Sequence, residues 1–154
     1  MQMPNMIVTT IGAIIIITIL GYYARDDGQI GRGETGLEVG VPIDHQLQSD
    51  RKTTPLPVVL RLVNNSDAIV PLTADGPCKV FRYVVTTEEG DFIQAVRRAE
   101  TCTETKTKSA IAENDVIEEI RQVPLDSGRY RAGTYQLRIK FWNYEGQASF
   151  TLVD

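Results

Sequence analysis

"YQLRIKFW", Tyr135 to Trp142, alternates without interruption. Tyr135, Leu137, Ile139 and Phe141 share one face, and Gln136, Arg138, Lys140 and Trp142 the other. Side chains of a strand point alternately to its two sides, so this pattern predicts a strand with one dry and one wet face, as in an antiparallel sheet. "NYEG" then turns the chain, and "QASFTLVD" continues with Ala148, Phe150 and Leu152 facing in. Upstream, "PVVLRLVNNSD" offers Val58, Leu60 and Leu62 as another inward set, ending in residues that favour turns. Short strand-like runs are expected at 42–48, 57–63, 68–73, 78–86, 91–98, 115–123, 134–142 and 147–153, and no helical period competes with them. The expected fold is all-β, an antiparallel two-sheet sandwich.

The segments "VVLRLVNNSDAIVPL" and "AGTYQLRIKFW" together resemble the immunoglobulin-like domains of bacterial envelope proteins. More narrowly, they are similar to the group named after the BsuPI intracellular proteinase inhibitor. The shared features are an early strand ending in Asn and small polar residues, and a late segment of the form Gly133, Tyr135, Leu137. Asp126, Gly128 and Tyr130 in "DSGRY" also resemble the tyrosine corner of immunoglobulin domains. That resemblance implies a phenol bonded to nearby backbone at Tyr130. The insertion around "ETCTETKTKSAIAEN", the cysteine pair and the apolar N-terminal segment depart from the inhibitor pattern.

Ahead of this domain, Met6 to Ala24 is a run of 19 residues without a charge. As a helix it would be about 28 Å long, close to the hydrocarbon thickness of a bilayer. No basic residue precedes it and no small-x-small cleavage pattern ends it, so residues 1–24 are expected to form a retained single transmembrane helix. Tyr22, Tyr23 and Arg25 then fall at the membrane interface, and Gly12 and Ala13 offer a small patch for packing against another helix. Residues 25–40, with five glycines between Ala24 and Gly40, read as a flexible tether, leaving 41–154 as the globular domain.

Sidedness receives two opposed signals. Arg25 and Arg32 follow the anchor, which by the positive-inside rule would place the domain in the cytoplasm. Cys78 and Cys102 pull the other way. They bracket two strand-like runs around "TEEGD", and a hairpin about Glu89–Gly90 would bring them to the ends of neighbouring strands, close enough to bond. Two buried thiols are the alternative. A bridge implies an oxidising compartment, so the domain is expected on the periplasmic side of a bacterial inner membrane.

No reactive constellation stands out. His45 is the one histidine, and Asp44 beside it points to the other face of a strand. Glu88–Glu89 and Glu118–Glu119 are adjacent pairs, which strands send to opposite faces. No enzyme activity, cofactor, metal or small-molecule substrate is expected. Residues 41–154 hold 14 Lys plus Arg and 16 Asp plus Glu, a net of −2. With only the short clusters Arg97–Arg98 and Lys106–Lys108, that balance disfavours nucleic acid. By parity Trp142 points away from the core and Tyr144 sits in the turn beside it, making them candidates for partner contact. The alternative has Trp142 covering a neighbouring strand. The expected function is a non-catalytic accessory subunit of a membrane complex, respiratory, photosynthetic or secretory, in contact with integral membrane subunits and the bilayer. The alternative is a membrane-tethered proteinase inhibitor or envelope ligand-binding domain.

Overall fold

A computed structural model describes residues 23–25, 30–96 and 102–154, the first three by backbone alone. The described residues form strands β1 (Tyr23–Arg25), β2 (Thr35–Pro42), β3 (Asp44–Gln46), β4 (Thr53–Asn64), β5 (Val70–Ala74), β6 (Phe81–Thr87), β7 (Phe92–Ala95), β8 (Thr107–Ile111), β9 (Asp115–Asp126), β10 (Gly133–Phe141) and β11 (Tyr144–Val153). They assemble in the orders β1-β2-β4-β9, β3-β11-β10-β6-β7 and β5-β8. The fold is all-β. All pairings are antiparallel except β3 with β11, which is parallel.

β4 and β10 organise the two larger sheets because each is apolar at every second position. Leu56, Val58, Leu60 and Leu62 of β4 are fully buried, as are Leu137, Ile139 and Phe141 of β10. These residues belong to one core cluster with Leu37, Val39 and Val41 of β2 and Ala148, Phe150 and Leu152 of β11. The sheets approach closely at Gly146. A Cβ there would lie 2.6 Å from Val39 Cγ2 and 2.9 Å from the Leu37 carbonyl oxygen, so only glycine lets β11 pass β2 at this point.

Pro55 and Pro57 lie within β4, where a missing N–H would break a ladder. The prolines are tolerated because the pairing of β2 with β4 runs only from Thr35–Asn64 to Gly40–Val59, short of both. The Pro55 carbonyl accepts a hydrogen bond from His45 Nε2 at 2.9 Å instead, which gives the histidine a structural role. Asn64 closes the other end of the strand. Its buried amide donates to the Ala68 and Ala112 carbonyls and accepts from Thr35 Oγ1 and from both Ser66 N and Ser66 Oγ.

Four expectations are corrected. The flexible tether at 25–40 is not flexible over its second half, since Thr35–Pro42 is strand β2 with Leu37, Val39 and Val41 in the core. Its glycines obscured a period-two apolar pattern. β1 pairs with β2 from Tyr23–Pro42 to Arg25–Gly40, so the folded unit includes residues that a domain beginning at 41 leaves out. Strand 42–48 divides, because the chain leaves one sheet after Pro42 and joins the other at Asp44. The turn expected at "NYEG" is instead Trp142–Asn143, with φ of 50° and 75°, and Phe141 pairs with Tyr144 across it. Two consecutive positive φ angles give the tight turn whose twist matches the flanking strands.

The expected anchor helix, with Gly12, Ala13 and Tyr22, lies outside the described residues up to Tyr22, as do Arg97 and Arg98. Its last two residues, Tyr23 and Ala24, are not helix but strand β1, paired with β2. Among the described residues no helix is long and apolar enough to cross a membrane.

Candidate functional site

The surface most unlike its surroundings is the edge of the four-stranded sheet formed by β9. β9 pairs with β4 along its whole length, from Asp115–Asn64 to Asp126–Thr53, and is the last strand of its sheet among the described residues. Which of its backbone groups face outward follows from two contacts. The Pro124 carbonyl accepts from Gln94 Nε2 at 2.7 Å, and Asp126 N–H donates to Gln94 Oε1 at 2.9 Å. Gln94 lies on β7, across from the β9 edge, so even-numbered residues of β9 present their N–H and C=O away from β4. Antiparallel alternation extends this outward set to Gln122, Ile120, Glu118 and Val116. The Val116 N–H is already taken by the Asp115 carboxylate at 2.8 Å.

The side chains on this edge are mixed. Ile120 is 68 % exposed and Val116 38 % exposed, both on the outer face of the sheet. Between them Glu118 faces Arg61, which also holds Glu38, giving a carboxylate–guanidinium–carboxylate row across β9, β4 and β2 at 3.2 and 2.6 Å. On the inner side Arg121 binds Glu119 at 2.6 Å and lies 5.6 Å over the Phe81 ring, closing the core margin with a cation instead of an apolar side chain.

A cleft of about 420 Å³ separates the β9 edge from β7, lined in part by Phe81, Tyr83, Gln94, Gln122 and Pro124. Gln94 spans it with its amide fully engaged, since it also contacts the Tyr83 hydroxyl and accepts from the Tyr130 hydroxyl at 3.1 Å. Burial, reinforced by the neighbouring Tyr83 and Tyr135 phenols, pushes the Tyr130 hydroxyl well above the usual tyrosine range, so it stays a donor. Beyond the cleft, Phe92 stands 65 % exposed at the start of β7, while Val96, also exposed, follows the strand's other end and lines the cleft itself.

The sequence-predicted residues fall in several places. Cys78 and Cys102 are bonded, with Cα atoms 6.0 Å apart. The bridge joins the 3-10 turn Pro77–Lys79 to the segment preceding β8, and not the ends of one hairpin as expected. β6 and β7 do form a hairpin, but it stops short of both cysteines. Trp142 does not stand free: it is half-buried, packs against the core cluster edge-to-face with Phe141, and donates its backbone N–H to the Val80 carbonyl. Its positive φ breaks the strand alternation on which the outward orientation depended. Tyr144 likewise packs against the core, and Asn143 Nδ2 ties the turn to the Thr73 carbonyl at 2.8 Å. Tyr23 and Arg25 lie on β1. The corner-type phenol belongs to Tyr135, whose hydroxyl donates to the Arg131 carbonyl at 3.0 Å and accepts from its N–H, whereas Tyr130 reaches Gln94.

Sequence reading did not single out Phe92, Ile120 or Gln94. Ile120 is visible in "VIEEIRQ" as an apolar residue out of phase with Val123 and Leu125, and that phase was the available signal. Among the described residues no three or more His, Cys, Asp or Glu side chains gather in a way that could hold a metal. Neither a protein-family model nor a curated relative matches the chain. Among solved structures it is similar to a β-glucosidase from Listeria innocua in complex with glucose, at 12 % identity and a TM-score of 0.41. That match covers 79 % of this chain and 16 % of the other.

Proposed function

We propose that this chain is a non-catalytic accessory subunit of a membrane complex. In this reading the apolar residues ahead of β1 anchor it, and an immunoglobulin-like β-sandwich, held on the periplasmic side of a bacterial inner membrane, contacts extramembrane surface of its partners. The sandwich is supported by a single core cluster drawn from both larger sheets, and the oxidising compartment by the Cys78–Cys102 bond. In this reading Tyr22, Tyr23 and Arg25 would meet the membrane interface where β1 begins, and Gly12 and Ala13 would pack against neighbouring helices.

The observation that carries the assembly role is exposed Phe92 at the start of β7. A large aromatic left in water at a hairpin end gains from a partner that covers it, and aromatic residues dominate the energetics of such contacts. Phe92 thus takes the part that parity assigned to Trp142. Phe92→Ala is expected to leave thermal unfolding within about 0.5 kcal/mol of the parent while releasing the chain from its complex at native mass in detergent. A variant that stays in the complex would remove Phe92 from the interface. If the parent chain migrates alone and inhibits a proteinase, the tethered-inhibitor reading replaces this one.

A further inference from the structure

We propose that two copies of this chain pair edge to edge along β9, antiparallel about a two-fold axis at Ile120, continuing the four-stranded sheet across the dimer. The inference rests on the β9 edge alone and is independent of the anchor and of Phe92.

The first observation is that the open part of this edge is bounded on both sides. At one end the Asp115 carboxylate occupies the Val116 N–H. At the other, Pro124 has no N–H, and Gln94 holds both the Pro124 carbonyl and the Asp126 N–H. Between these stops lie the outward N–H and C=O groups of Glu118, Ile120 and Gln122. No strand among the described residues pairs with this row, and an unpaired row of this kind is a template for another strand. Folds that avoid such pairing commonly place proline or charge along the edge, and here the proline sits only at its end. The charges of the open stretch, Glu118, Glu119 and Arg121, are of both signs and already engaged in ion pairs within the chain, so they restrict the register of pairing without forbidding it.

The second observation is the register that the side chains permit. Antiparallel pairing must set outward-facing residues opposite outward-facing residues, which restricts the two-fold axis to whole residue positions. An axis at Glu118, Glu119 or Arg121 sets that charged residue against its own copy, and like charges directly opposite one another destabilise a sheet. An axis at Gln122 sets Ile120 against the partner's Pro124, which cannot donate. An axis at Ile120 avoids all of these clashes. It sets Ile120 against the partner's Ile120, Glu118 against the partner's Gln122, and Glu119 against the partner's Arg121, twice by symmetry. Glu119 and Arg121 already share an ion pair within one chain, so four charges of alternating sign would meet on the inner face. The ladder would use the open groups of Glu118, Ile120 and Gln122 and end where the capped ones begin. Such a contact is isologous and closes on itself, so it yields dimers and not fibres.

The test uses the full chain in detergent, with mass followed by light scattering over a dilution series and with the native disulfide retained. The parent is expected to dimerise. Arg121→Glu should weaken dimerisation by about tenfold or more, because four carboxylates would then face each other. Adding Glu119→Arg to that variant should restore the dimer, which a merely misfolded variant would not allow. Ile120→Cys should give a covalent dimer under mild oxidation, since facing Cα atoms in such a pair lie about 5.5 Å apart. Val116→Cys, opposite the partner's Pro124, should not. A parent chain that is monomeric throughout and an Ile120→Cys variant that stays uncrosslinked would overturn the proposal. So would a dimer indifferent to Arg121→Glu, a charge swap that restores nothing, or Glu118→Cys crosslinking in preference to Ile120→Cys.

Discussion

β4 has two neighbours that the same register makes directly comparable. Leu60 pairs with Val39 of β2 on one side and with Glu119 of β9 on the other. Val39 is 1 % exposed, and its strand is backed by β1 at its far edge and by Gly146 of the facing sheet. Glu119 is half-buried at the sheet margin, held by Arg121, with no further strand beyond it among the described residues. One flank of β4 is therefore finished as core and the other as surface. The difference shows that a glycine-rich stretch can be interior when its apolar residues keep step with the sheet. It shows equally that a strand rich in isoleucine and valine can present those residues to solvent when they fall on the outer parity.

The comparison can be broken most forcefully at Val39. Val39→Asp puts an unpaired carboxylate against Leu60 and Gly146, and is expected to cost about 4 kcal/mol or more in chemical denaturation. A cost below about 1 kcal/mol would mean that β2 is not part of the core. Next comes the capped end of β9. Gln94→Ala removes the partner of the Pro124 carbonyl, the Asp126 N–H and the Tyr130 hydroxyl, and is expected to cost about 3 kcal/mol. If the loss is negligible, the cleft between β7 and β9 is not held by that amide. The smallest effect belongs to the open flank. Glu119→Ala should change stability by less than about 0.5 kcal/mol, the usual scale for an exposed ion pair.

The strands legible in the sequence were those with uninterrupted alternation. In Tyr135–Phe141, Ala148–Leu152 and Val58–Leu62 every inward assignment matches a buried side chain. β2 was hidden because glycines at 36 and 40 lower its apparent apolar content while leaving its parity intact. β8 was hidden by composition, since "TKSAI" has only Ile111 to bury, yet that residue packs into the core and pairs with Val70 of β5. The cysteine pairing was legible, but its setting was not: the bridge closes between loop segments and not across a strand pair. Trp142 was misplaced because parity does not extend through a turn with positive φ. The β9 edge was beyond sequence reading for a different reason. Which backbone groups face outward depends on which side of the strand β4 occupies, and that is a property of the assembled sheet.

Backbone amide hydrogen exchange along β9, read residue by residue as a function of protein concentration, tests the central claim most directly. At low concentration Ile117, Glu119, Arg121 and Val123, bonded to β4, should be protected, while Glu118, Ile120 and Gln122 exchange rapidly. As concentration rises, protection should appear at Glu118, Ile120 and Gln122 and spread no further than the capped ends at Val116 and Pro124. Rapid exchange at Glu118, Ile120 and Gln122 at every concentration, or protection already complete at high dilution, would contradict the open edge and its pairing.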